Sequence, residues 1–197
     1  MKKNLILFFL LVTINTFSQG LFNSYEKGTI YLRNETKLDG FLKITSDDEV
    51  KYKKTLKDKK QLFNHKTVKS VVFTKSKKKY YYKHDKYYVY LLEKEIQGKI
   101  ELYFKVFSSP PIMGPNGMMM GGGSFKKYYI TKKDSDKIEQ LDTNVKSREF
   151  WLTFSKYVAD CQHLINKVKD KKSIKKNFRK KSSRLINMVN DYNTNCR

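Results

Sequence analysis

Residues 87–130 read YYVYLLEKEIQGKIELYFKVF, then SSPPIMGPNGMMMGGGS, then FKKYYI, and this stretch decides the fold. Ile100, Leu102, Phe104 and Val106 fall on one side of an alternating run, and Lys99, Glu101, Tyr103 and Lys105 on the other. That period of two is the signature of a half-buried strand. Burial of the four apolar side chains is expected to contribute about 1.5–3 kcal/mol each. Gln97-Gly98 supplies the turn back to Leu91 and Leu92. Beyond a tip rich in Met and Gly, Phe125–Ile130 resumes an extended pattern.

Working outward, the same alternation recurs on both sides. Ile30 and Leu32 alternate in GTIYLRN, and Leu42 and Ile44 in FLKIT, with Asp39-Gly40 suited to the turn between them. Val50 and Tyr52 share a face in EVKYKKT. TVKSVVFTK over 67–75, the Tyr-rich runs split at His84-Asp85, and KIEQL from Lys137 complete the set. Eight or nine strands with short connections predict antiparallel neighbours. The fold class is therefore α+β: a curved antiparallel sheet, or a partly open barrel of about eight strands, over residues 19–141.

After Asp142 the period changes. Phe150, Phe154, Tyr157, Val158 and Cys161 recur at helical spacing, behind N-cap candidates Asp142, Thr143 and Asn144. A short second helix holds Leu164, Ile165 and Val168. A third is expected from about Ser173, with Phe178, Leu185, Val189, Tyr192 and Cys196 on one face. Residues 142–197 thus form a helical C-terminal subdomain.

The start of the chain has the anatomy of a secretory signal peptide. Lys2 and Lys3 precede the apolar run Leu5–Val12, and Thr16 and Ser18 put small residues at a cleavage site after residue 18. That run is too short to span a bilayer, which takes about 20 residues. No later stretch is apolar enough to cross a membrane as a helix. A secreted chain, in the periplasm or associated with the outer membrane, is the expectation. In that setting Cys161 and Cys196 are expected to be bridged, because an up-down-up helix path brings their ends together.

The order of these segments resembles a family of secreted Bacteroidota proteins with no assigned activity. The matching pieces are FSQ at the leader's end, GTIYLRNETKLDGFLKI, VYLLEKEIQGKIELYFK, YYI with KIEQL, FSKYVADCQHLINKV and the final VNDYNTNC. The resemblance implies secretion, a β-rich body and a helical tail, and it implies no activity.

The 42 Lys and Arg against 19 Asp and Glu give a net charge of +23. Such a balance attracts polyanions: anionic lipid headgroups, lipopolysaccharide or nucleic acid. Only Arg33, Arg148, Arg179, Arg184 and Arg197 are arginine, however, and bidentate phosphate or base recognition favours arginine. Compositional bias accounts for much of the charge. Lys175, Lys176, Arg179 and Lys180 are the candidate basic surface.

Met113, Met118, Met119 and Met120 are the candidate contact loop. Thioethers suit Cu(I), yet three adjacent Met residues do not converge on one ion and the loop has no His or Cys. An irregular tip, or contact with a membrane or partner through adaptable Met, fits better. The aromatic-basic run Lys77–Tyr90 could stack bases, but Tyr is an ordinary strand residue. His65, His84 and His163 lack ligand spacing. Asp47, Asp48 and Glu49 read as a turn, and Glu93 and Glu95 share a strand face as a weak carboxylate pair. No catalytic motif appears, so no catalytic residue, metal or cofactor is assigned. The reading is a non-enzymatic, envelope-associated protein of binding or structural role. The alternatives are a binder of anionic polymers or membrane surfaces, and then an enzyme of unrecognised class. An envelope protein or an anionic surface is the expected kind of partner.

Overall fold

The computed structural model describes residues 25–180 and 183–196; the leader expected at residues 1–18 lies outside the described residues. Ten strands form one sheet. They are β1 (Glu26–Leu32), β2 (Lys37–Ile44), β3 (Val50–Lys53), β4 (Gln61–Phe63), β5 (Val68–Phe73), β6 (Lys79–His84), β7 (Val89–Ile96), β8 (Ile100–Ser109), β11 (Gly123–Lys132) and β12 (Glu139–Leu141). Between β8 and β11 a separate hairpin is made by β9 (Ile112–Met113) and β10 (Met119–Met120). The spatial order is β12-β11-β8-β7-β6-β5-β1-β2-β3-β4. The neighbours pair antiparallel throughout.

The strand count exceeds the expected eight because β4 lies in the lysine-rich connection around Asp58, where no alternation announces it. The first turn also differs from expectation. It falls at Arg33–Thr36, with Glu35 in the left-handed region at φ 67°. Asp39-Gly40 lies inside β2 instead, where Gly40 faces Gly28 of β1. A Cβ at Gly40 would strike the Tyr52 ring and the Lys53 carbonyl, so the glycine answers to packing rather than to a turn.

The sheet is strongly curved. Five strand spacings of about 4.8 Å would hold β2 some 24 Å from β8 if the sheet were flat. Yet Asp48, in the β2–β3 turn, accepts from Lys105 Nζ of β8 at 2.6 Å, and its carbonyl accepts from the Tyr82 hydroxyl of β6. At the other end, residues 135–138 fold back to β6. His84 N donates to Asp136 O at 2.9 Å, and Ile138 N donates to His84 O at 2.9 Å.

Curling encloses a core of Ile30, Leu42, Val50, Val68, Val71 and Leu91 within the first half of the sheet. A smaller cluster of Leu92, Tyr103, Tyr129 and Ile138 sits on the opposite face. So β8 is covered on both sides: Glu101 and Tyr103, expected on a solvent face, are buried. Glu101 is satisfied there by Lys94 Nζ and the Tyr103 hydroxyl, each at 2.6 Å. Val106 departs in the other direction and is 50% exposed. The pairing of β8 with β7 ends at Glu93–Phe104, and β8 runs on with β11 alone as a two-stranded ribbon.

The remaining core belongs to the helices, α1 (Arg148–Val158), α2 (Gln162–Val168), α3 (Lys171–Asn177) and α4 (Arg184–Asn195). Ser147, not the three residues proposed, caps α1 by accepting from Phe150 N at 3.1 Å. Phe150, Phe154, Leu164, Leu185, Met188 and Val189 pack with Ile96, Ile100 and Leu102 of the sheet. The third helix expected from Ser173 is two helices, separated after Phe178. Lys171/Lys175, Lys172/Lys176, Lys175/Arg179 and Lys176/Lys180 are like-charged at i,i+4, which disfavours one long helix there. The expected bridge is present: Cys161 and Cys196 are joined with their Cα atoms 5.4 Å apart.

Candidate functional site

The helices dock at the Ile100 end of β8 and the ribbon leaves at the Ser109 end. Ten residues of strand separate those ends by about 30 Å. The two sequence-marked surfaces therefore lie apart. Lys175 and Lys176 end α3 and, with Arg179 and Lys180, are exposed on the helical side. The apolar stripe of Phe178, Leu185, Val189 and Tyr192 is buried against the sheet and the other helices, so it does not face a lipid phase.

The ribbon end gathers more. The Met-rich tip is ordered as a hairpin, with Met113 paired to Met119 and Ile112 to Met120. Its turn is closed by Gly114 N donating to Met118 O at 2.8 Å, with Gly117 at φ 70°. The hinge to the ribbon uses Gly121 and Gly122 at φ 74° and 88° opposite Pro111, conformations that favour glycine. Ile112, Met113 and Met118 are each 72% exposed. Lower on the ribbon Phe107 stacks on Phe125 at 5.8 Å, and Phe125 is itself exposed.

A second exposed group sits beside the ribbon base, at the end of the aromatic-basic run Lys77–Tyr90 that the sequence marked. The β6–β7 turn carries Tyr87 and Tyr88, 75% and 65% exposed, and Val89. Asp85 builds that turn by accepting from Tyr87 N and Tyr88 N, both at 2.7 Å. The Tyr90 hydroxyl donates to the same carboxylate at 3.1 Å. Slight burial pushes the Asp85 carboxyl up, but these three donors outweigh it and hold it below the ordinary carboxylate value. Tyr90 is pushed up to about 12, by burial first and then by its bond to Asp85.

Rings connect the two groups. Tyr88 meets Tyr90 at 6.1 Å, Tyr90 meets the buried Tyr129 at 5.4 Å, and Lys105 Nζ bridges Tyr90 and Phe107 at 5.9 and 5.7 Å. Lys127 lies over Phe107 at 4.8 Å and Lys86 over Tyr87 at 5.2 Å. The ring ladder is thus anchored in the core and ends in solvent, with ammonium groups interleaved. The signal for it in the sequence was Tyr87-Tyr88-Val89-Tyr90: four large residues in a row cannot all reach one buried face.

The other residues weighed are structural. Tyr80 and Tyr82 face the first core, with Tyr80 donating to Glu93 at 2.9 Å. A bulge between Lys94 and Ile96 breaks the face that Glu93 and Glu95 were expected to share. They pair separately, with Lys78 at 3.0 Å and Lys126 at 3.6 Å. Among the described residues no three His, Cys, Asp or Glu side chains converge as metal ligands, and no helix is long and apolar enough to cross a membrane. Comparison with protein-family models, curated proteins and solved structures finds no match to this chain.

Proposed function

We propose that this chain is an exported, non-enzymatic binding protein of the cell envelope, of the family it resembles, which seats its ribbon end on an anionic membrane surface. The observation that carries the reading is the coincidence, at one end of the sheet, of exposed Ile112, Met113, Met118, Phe125, Tyr87 and Tyr88 with Lys86 and Lys127. Apolar and tyrosyl tips enter the headgroup boundary while lysine stems lie along them and keep their charge in water. Each lysine near an anionic surface contributes about 1 kcal/mol at low salt. The net charge of +23 adds long-range attraction that salt screens.

Sedimentation with phosphatidylglycerol-containing and pure phosphatidylcholine vesicles tests the proposal. The expected result is binding to the anionic vesicles that weakens with salt. Replacing Ile112, Met113 and Met118 together by Ser should weaken it by at least tenfold, since each buried CH2 is worth about 0.8 kcal/mol. Equal vesicle binding by the triple variant, or no binding at low salt, removes the proposal.

A further inference from the structure

A second site lies in the helical unit, remote from the ribbon and independent of the reading above. Trp151 and Val158 of α1, Ile165 and Val168 of α2, and Ile174 of α3 line a cavity of about 590 Å³. It opens to solvent on one side, and small-molecule sites run from about 300 to 1,000 Å³. The cavity walls are fixed. The Trp151 indole N–H donates to Val145 O at 3.1 Å, and Val158, Val168 and Ile174 are buried in the main helical core.

The mouth has the opposite chemistry. Lys146, Lys169 and Lys171 stand around it, all exposed, with Ser155 and Ala159 between. One acid, Asp170, shares the rim, and its two carboxylate oxygens are engaged by Ser173 N at 2.8 Å and Ser173 Oγ at 3.0 Å as the cap of α3. Three ammonium groups against one carboxylate, that of Asp170, which Lys169 faces electrostatically, leave the rim net positive over an apolar floor and complement a ligand with one anionic end and one alkyl chain. We infer that this cavity binds a single-chain fatty carboxylate, its alkyl chain against Trp151, Ile165 and Ile174 and its carboxylate among Lys146, Lys169 and Lys171. A two-chain membrane lipid carries twice the alkyl volume and belongs to the surface at the other end of the molecule.

Trp151 is the single tryptophan, so its fluorescence reads occupancy directly. The probe is 9,10-dibromostearate, whose bromines quench indole on contact, titrated against the full chain below its micellar concentration. Saturable quenching is expected, displaced by stearate. Reversal of the three exposed rim lysines to Glu should weaken dibromostearate by at least tenfold and leave its uncharged methyl ester within about twofold. Ala159→Phe, a change at an exposed position beside the mouth, should weaken acid and ester alike. Unsaturable quenching, or equal affinity in the rim-reversed and Ala159→Phe variants and the parent, overturns the inference. Quenching by brominated phosphatidylglycerol vesicles that equals quenching by the free acid also overturns it, because the helices would then be entering the bilayer.

Discussion

The side chain of Asn193 makes both hydrogen bonds that a neighbouring strand would make to Ile100. Its Oδ1 accepts from Ile100 N at 3.0 Å and its Nδ2 donates to Ile100 O at 2.9 Å. Next to it, Gly98 leaves no room for a Cβ, which would overlap the Asn193 amide. The turn at Gln97-Gly98 thus needs glycine because a helix residue lies against it, a reason invisible in the turn's own sequence. Asn193→Ala leaves two partly buried backbone groups unpaired and should cost about 1–3 kcal/mol. Gly98→Ala should cost a similar amount by displacing the same amide. The two changes remove one interaction, so the double variant should cost clearly less than their sum. Urea denaturation of the four proteins measures this. Additive costs, or an unshifted midpoint for Asn193→Ala, would show that the amide does not hold the helices to the sheet.

At the scale of elements, the described residues of the helical unit form four short helices, two of only seven residues, tied by one disulfide. Helices that short are not stable alone and depend on packing. Cys161 opens α2 and Cys196 ends α4, so the bridge closes a separation of 35 residues. Loop-closure entropy for that length is worth about 4 kcal/mol. Replacing both cysteines by Ala should therefore lower stability by about that much. Hydrogen exchange should show the loss first in amides of α2–α4, while β1–β6, which close a core of their own with Leu91 of β7, stay protected. Uniform loss of protection across sheet and helices would contradict this division. The bridge was legible because helical phase put both cysteines on buried faces. The strands read by alternation were found for the same reason: period two survives in the burial of β1 and β3. Where the sequence misled, a single residue type served two purposes. Asp39-Gly40 reads as a turn but gives Tyr52 its seat, and β4 is hidden by lysines that suit a sheet edge as well as a loop. Of the candidate surfaces, the Met tip was legible as residues that packing does not use. The aromatic turn beside it was legible as the end of the Lys77–Tyr90 run, though not as an exposed group; the lysine-rimmed cavity was not legible, since it exists only once separate helices meet.

For the molecule as a whole, two features of composition act together, the excess of lysine and the 14 tyrosines. Nine of those tyrosines hold hydroxyls above their ordinary value, with burial the leading cause in each: Tyr80, Tyr81, Tyr82, Tyr90, Tyr103, Tyr128, Tyr129, Tyr157 and Tyr192. Acidic neighbours push the same way, Glu101 on Tyr103 and Glu139 on Tyr157, the latter reaching about 12. An unfolded tyrosine ionises near 10. Between that value and the raised folded one, the unfolded chain has lost protons that the folded chain keeps, so stability falls as pH rises. The tyrosine contribution is complete below about pH 10 and is withdrawn from there upward, through about pH 12 for Tyr90 and Tyr157. Lysines begin to lose charge over the same range, which relieves repulsion in a chain of +23 and acts in the opposite sense. Salt separates the two effects, because it screens repulsion between exposed ammonium groups but leaves the cost of burying a phenolate. The expected behaviour is a steep alkaline unfolding transition above pH 10 that persists in molar salt. Absorbance near 295 nm should rise in two stages, with the nine raised tyrosines ionising only as circular dichroism reports unfolding. A single stage near pH 10 with the fold intact would mean that the ring ladder is open to water, and its anchoring in the core would have to be abandoned.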